Sequence, residues 1–201
     1  MPVTNRVKPR ELDAYTADFL KRTVDSLDRI PVNIFLCGSA LDERAKRERR
    51  GNPLDIRLFL KRKLEDGLKH CDVKLGEHKA LIRAFAQAVG GRAANLADHE
   101  FALAKERMDL VIIFPCSPGS FAELGMFCLV EGIAAKMRIF IHKEYRNKKS
   151  YIIQGPVKAA EQNNAKIFFV DYCQREKIWN SVREVVLEVK AKKRKRELLS
   201  E

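Results

Sequence analysis

The segment Asp109 to Cys116, D-L-V-I-I-F-P-C, limits what this chain can fold into more than any other. Leu110 to Phe114 is an unbroken apolar run, β-branched at its centre. Such a run has no polar face to give to water, so it reads as a strand covered on both sides. It is far too short to cross a bilayer. The turn Ser117-Pro118-Gly119 ends it, and helical spacing follows from Phe121 to Ala135. A strand buried on both faces implies a sheet with helices packed on each side.

The rest of the chain repeats the alternation. Residues 8–29 place Leu12, Tyr15, Phe19, Val24 and Leu27 near one helical face, and Ile30-Pro31 closes that helix. Val32 to Cys37 is a second buried strand, followed by a polar, basic loop to Pro53. Helical spacing returns over 54–70 through Ile56, Phe59, Leu60, Leu64 and Leu68. A weaker strand covers Cys71 to Leu75, and helices cover 78–89 and 96–107 with Gly90-Gly91 between them. Arg138 to His142 and Lys166 to Val170 read as strands, with a short helix after Gly155-Pro156. An amphipathic helix covers 177–196.

Five strands alternating with helices predict a Rossmann-like or flavodoxin-like, doubly wound and mainly parallel sheet. The expected division is a helical segment at 1–31, an α/β domain at 32–172, and a C-terminal helix with a basic tail at 173–201. In such sheets ligands bind beyond the carboxyl ends of the strands, where the strand order reverses. The loops after Cys37 and after Phe114 are therefore the ones expected to matter.

Composition narrows the setting. With 46% hydrophobic and 33% charged residues the chain fits an ordinary globular protein with a charged surface. The start, Met1 to Glu11, has basic residues but no apolar stretch behind them, so no secretory signal is expected and the location is read as cytoplasmic. Five cysteines, an odd number with no C-x-x-C pair, read as reduced thiols, with neither a zinc knuckle nor a redox pair. Neither metal nor cofactor is expected. The net charge of +12 concerns partners. Arg44 to Arg50 and Lys190 to Arg196 concentrate it, and each could meet phosphates or be a solvated surface. Apolar faces on the terminal helices suggest a homo-oligomer.

The chemistry gathers at Ser117-Pro118-Gly119-Ser120-Phe121-Ala122-Glu123. Gly119 allows a backbone close to a ligand, and Ser120 is expected as the N-cap. The amide groups of the first turn would then suit an anion, held by Ser117, Pro118, Gly119 and Ser120. Ser120-x-x-Glu123 also has the spacing of a capping box, which would occupy the carboxylate. Its place at the mouth of a buried strand favours a chemical role. After the earlier strand, Cys37, Gly38 and Ser39 form a similar exit that could receive a ribose or base.

Two stretches, V-N-I-F-L-C-G-S (Val32 to Ser39) and D-L-V-I-I-F-P-C-S-P-G-S-F-A-E-L-G-M-F (Asp109 to Phe127), resemble the nucleoside 2-deoxyribosyltransferase-like superfamily. More narrowly, they resemble the N-glycosidase effector proteins associated with bacterial retrons, as does K-K-S-Y-I-I-Q-G-P-V (Lys148 to Val157). The resemblance spans roughly Val32 to Val170. It implies a nucleotide or nucleoside substrate and a glutamate acting at the anomeric carbon, which by motif is Glu123. It implies a second acidic residue before the central strand, either Asp98 or Glu100, and more weakly Glu77 after the second strand. It also implies a toxin-like role in antiphage defence, with a reverse transcriptase and its RNA–DNA product as partners met through the basic segments. The chain departs from such effectors in ending on a helix and basic tail. Two other readings remain: a non-catalytic nucleotide sensor of the same fold, and a phosphoribohydrolase, whose P-G-G-x-G-T-x-x-E string is matched only in part.

Overall fold

The computed structural model describes residues 14–39, 53–76, 79–88 and 95–200. Glu77, His78 and the basic run from Arg44 to Arg50 lie outside them. Strand β1 (Val32–Cys37) and strand β3 (Leu110–Ile113) are the apolar runs singled out above, and β3 is buried at every position. Each must pair at both edges and be covered on both faces, because neither its backbone nor its side chains can turn to water.

Among the described residues, five strands form one parallel sheet in the order β2-β1-β3-β4-β5, with β2 at Cys71–Lys74, β4 at Met137–His142 and β5 at Lys166–Val170. This is the flavodoxin-like order, and its direction reverses between β1 and β3. There Ile34 pairs with Leu110 and Cys37 with Ile113.

Side chains alternate across the sheet with period two. On one face Ile34, Leu36, Leu110 and Ile112 pack under α2 (Pro53–Gly67) and α8 (Arg175–Ser200), through Ile56, Leu60, Leu64, Val182 and Val186. On the other, Phe35, Cys37, Val111 and Ile113 meet Leu124 and Phe127 of α5 (Pro118–Phe127) and Ile133 of α6 (Glu131–Ala134). Phe168, Phe140 and Phe114 stack across the first of these faces at 4.5 and 5.3 Å.

Several boundaries differ from the sequence expectation. The first helix, α1, is Ala14–Asp28. Between β2 and β3 lie α3 (Lys79–Ala88) and α4 (Leu96–Ala102), and the chain then loosens into a π-helical turn at Leu103–Arg107. The helix expected from Phe121 to Ala135 starts earlier and breaks after Phe127, where Asn163 Nδ2 donates to Cys128 O at 2.9 Å. Gly155-Pro156 sits inside a π-helical turn at Ile153–Val157, and the short helix expected after it follows directly. Proline lacks the amide that a tight turn would use, and α7 (Lys158–Gln162) continues from there.

Helix α8 corrects one expectation about the tail. It is continuous to Ser200; Ile178, Val182, Val185, Val186 and Val189 are covered by the sheet and α2, while Leu198 and Leu199 near its end are exposed. Lys190 is fully buried: its Nζ donates to Lys69 O at 2.7 Å and Asp28 O at 3.2 Å, closing the carboxyl ends of α1 and α2. It is therefore not available to a phosphate. Among the described residues no helix is long and apolar enough to cross a membrane.

Candidate active site

The loops leaving β1 and β3 meet at the switch point. Phe114 N donates to Cys37 O at 3.1 Å, and Ser39 Oγ lies 3.2 Å from Cys116 Sγ. Arg57, on α2 and buried, holds the β1 side of this junction. Its Nε donates to Leu36 O at 2.9 Å, and its Nη1 to Ser39 O at 2.7 Å and Gly38 O at 3.4 Å. A Cβ on Gly38 would sit 3.1 Å from Arg57 Cδ and 3.6 Å from Phe114 Cβ, so the clamp leaves space for glycine. Sequence reasoning missed Arg57. It follows Ile56 on an apolar helical face, where periodicity marks hydrophobic positions and says nothing of a buried cation. Cys37 is fully buried among the apolar side chains of the lower layer, so its thiol is core and only its backbone borders the crevice.

The start of α5 differs from the expected one. Ser117 is the N-cap, with φ −139° and ψ 160°, and Ser120 occupies the third helical position. Ser120 is 1% exposed. Its Oγ accepts from Cys116 N and Ser117 N, both at 2.9 Å, while Ser117 Oγ accepts from Ser120 N at 3.3 Å. The capping box is thus Ser117 with Ser120, and the expected Ser120–Glu123 box does not form. The cause is Pro118, whose fixed φ and missing amide suit the first helical position and start the helix three residues early. The Ser120 hydroxyl is spent on the turn. Pro118 has no amide and Ser120's is bonded, which leaves Gly119 as the remaining donor of the first turn. Gly119 is exposed, and a Cβ there would meet nothing within 4 Å.

Glu123 therefore falls in the second turn of α5, beyond reach of the cap. It is half-buried, with Oε2 shut off from solvent.

The two upstream carboxylates separate. Asp98 is exposed and belongs to the cap of α4: Asn95 Oδ1 accepts from its amide at 2.8 Å, and Asn95 Nδ2 donates to its Oδ2 at 2.5 Å. Glu100 is buried at 8% exposure, and its carboxylate lies against Gly76, just past β2, where a Cβ would collide with Oε1. Glu100 thus stands at the carboxyl edge of the sheet, on a helix that packs against α5. Its neighbour His99 is buried beside Phe85 at 5.1 Å between ring centres, and burial pushes its pKa below the ordinary value. Among the described residues no three His, Cys, Asp or Glu side chains converge as a metal site.

The five-stranded order and its joined switch-point loops define an α/β protein of the Rossmann-like class. The chain belongs to the STM3845 retron effector protein family, whose model matches residues 53–200, from the start of α2 to the end of α8. It is also similar to two Escherichia coli proteins. One, named "Retron Ec73 putative ribosyltransferase/DNA-binding protein", is 30% identical over 131 residues, 65% of this chain and 38% of the relative. The other, named "Retron Ec86 putative ribosyltransferase/DNA-binding protein", is 39% identical over 61 residues, 30% of this chain and 20% of the relative. The chain matches well under half the length of either.

Proposed function

We propose that this retron effector breaks the N-glycosidic bond of a nucleotide or nucleoside, with Glu123 as the carboxylate beside the anomeric carbon. The observation that carries this reading is the position of Glu123: in the second turn of the helix that leaves the switch point, half-buried, with one carboxylate oxygen shut off from solvent. The names of the two relatives, as ribosyltransferases, point to glycosyl chemistry in the same direction.

In the proposed reaction the C1′–N bond breaks and its electron pair leaves with the base. Positive charge then develops at C1′, and the Glu123 carboxylate stabilises it or forms a transient ester. The departing base needs a proton. Glu100 is the better placed candidate, because it is buried at the carboxyl edge of the sheet, whereas Asp98 is exposed and engaged in a cap. Water then adds to C1′ and gives hydrolysis, or a second base adds and gives transfer. Ser39, Ser117 and the Gly119 amide would bind hydroxyl or phosphate groups of the substrate. A toxin-like antiphage role, with a reverse transcriptase and its RNA–DNA product as partners, belongs to the same proposal.

The test is base release from a panel of nucleosides, nucleotides, NAD and DNA, with and without the retron RNA–DNA product, comparing wild type with Glu123→Gln. Loss of release by roughly a hundredfold or more in the variant, with ligand binding kept, is the expected result. Ligand binding without release under any condition would replace this reading with a nucleotide sensor.

A further inference from the structure

At the opposite, amino edge of the sheet lies a groove of about 660 Å³ that the glycosidic chemistry does not use. The starts of β3, β4 and β5 contribute Arg107, Lys136, Arg138 and Lys166. Helix α8 adds Lys192, Lys193 and Arg196 at spacings that share a helical face with Val189. Against these seven cations the lining has two carboxylates, Glu106 and Asp109. Internal pairing uses part of this charge: Lys193 bonds Asp109 at 2.8 Å, and Lys166 and Lys192 share Glu188 at 2.7 and 2.9 Å. A clear positive excess remains.

Arg138 is the second observation. It is 4% exposed, and its Nη1 donates to Met137 O at 2.8 Å and Ala135 O at 3.2 Å. Its Nε is buried with no acceptor. A buried guanidinium N–H without an acceptor is costly, so the Arg138 guanidinium, which lines the groove, carries positive charge that its own contacts only partly satisfy and that an anion in the groove would offset.

We infer that this groove binds the phosphate backbone of a nucleic-acid strand, without reading its bases. Neighbouring strands are about 4.8 Å apart, so cations at three successive strand starts spread over roughly 10 Å, and α8 carries the row further. That length exceeds one phosphate group. Among the described residues no aromatic side chain lines the groove, so none of them offers base stacking there. The groove and the switch-point crevice occupy opposite edges of the sheet, so a bound strand leaves the crevice open.

The experiment is anisotropy of labelled single-stranded oligonucleotides between 50 and 200 mM salt, for the whole chain and for the double variant Arg107→Gln with Arg196→Gln. Both side chains are exposed, and unchanged thermal unfolding checks the fold. Each lost phosphate contact should lower the slope of log affinity on log salt by about 0.7–0.9, and should weaken binding roughly five- to eightfold at 0.1 M. Base composition should have no effect, and base release from a small nucleoside should be unchanged, which separates this outcome from failure of the Glu123 reading. Identical affinity and slope in the double variant would overturn the inference. So would displacement of the oligonucleotide by tripolyphosphate at equal phosphate concentration, which would assign the groove to a small polyphosphate.

Discussion

Ser39 Oγ and Cys116 Sγ lie 3.2 Å apart, although 77 positions separate the two residues in the chain. The contact closes the boundary between β1 and β3 at their carboxyl ends, where the direction of strand order reverses. Gly38 and Arg57 fix one side of it, and the Ser117–Ser120 cap fixes the other. Any ligand entering at the switch point meets a surface whose two halves are already joined.

Arg57 is the strongest mechanical element of that surface. Arg57→Met leaves the carbonyls of Leu36, Gly38 and Ser39 without this donor. Of these three bonds only the one to Leu36 O is fully buried, and a buried group left unsatisfied costs about 1–3 kcal/mol, so the variant should lose about that much in urea unfolding. Arg57→Lys should recover only part of this, because an ammonium cannot reproduce the planar fork. A loss below about 1 kcal/mol would show that the loop is held by other contacts.

Gly76 and Glu100 should couple. Gly76→Ala places a methyl group on the Glu100 carboxylate, and overpacking of this kind costs roughly 1–3 kcal/mol. In a Glu100→Ala background the same substitution should cost much less. A double-mutant cycle measures the difference, expected at about 0.5–3 kcal/mol. Additive effects would mean that Glu100 does not rest on Gly76 in solution.

His99 sets a pH dependence. Its folded pKa is pushed below the ordinary 6.5 by burial, so as pH falls from about 6.5 the unfolded chain takes up a proton that the folded chain resists. Stability should therefore decline with acidification in that window. His99→Phe, which keeps a ring beside Phe85, should flatten this part of the melting temperature profile between pH 7.5 and 5.5. An unchanged profile would remove His99 as the source.

Glu188 acts lower on the scale. Hydrogen bonds from Lys166 and Lys192 hold its carboxyl at about 2, against an ordinary 4.5. Its contribution is present above pH 4.5 and fades as pH falls toward 2. Because its side chain is 34% exposed, Glu188→Gln should cost no more than about 1 kcal/mol at neutral pH. The same change releases two lysines toward the basic groove, so oligonucleotide binding should tighten in the variant. Weaker binding would contradict the placement of the nucleic-acid strand.

Most of the architecture was legible in the chain because burial leaves a local mark. The runs Val32 to Cys37 and Leu110 to Phe114 announce strands covered on both faces, and their exit loops were expected to form the site. Local spacing was misleading where two local signals competed. Ser120 and Glu123 have capping-box spacing, but Pro118 starts the helix earlier and gives the cap to Ser117. Asp98 and Glu100, two residues apart, were indistinguishable in sequence, because a helix points them in different directions and the spacing alone does not say which one faces inward.

Charge was the least legible feature. Lys190 sits in a run of basic residues and reads as solvated, yet it is fully buried, because two helix ends bring Asp28 O and Lys69 O to one point. Arg57 is hidden from the sequence for the same reason: its acceptors, Leu36 O and Ser39 O, belong to β1 and the loop that leaves it. What the amino-acid order determined by itself was the alternation of buried strands and amphipathic helices, since side-chain periodicity and turn chemistry act over a few residues. What the tertiary structure alone decided was which cations became internal clamps, which carboxylate was buried, and where the remaining positive charge gathered. Those outcomes depend on groups tens of residues apart meeting in space, and on whether water is excluded where they meet.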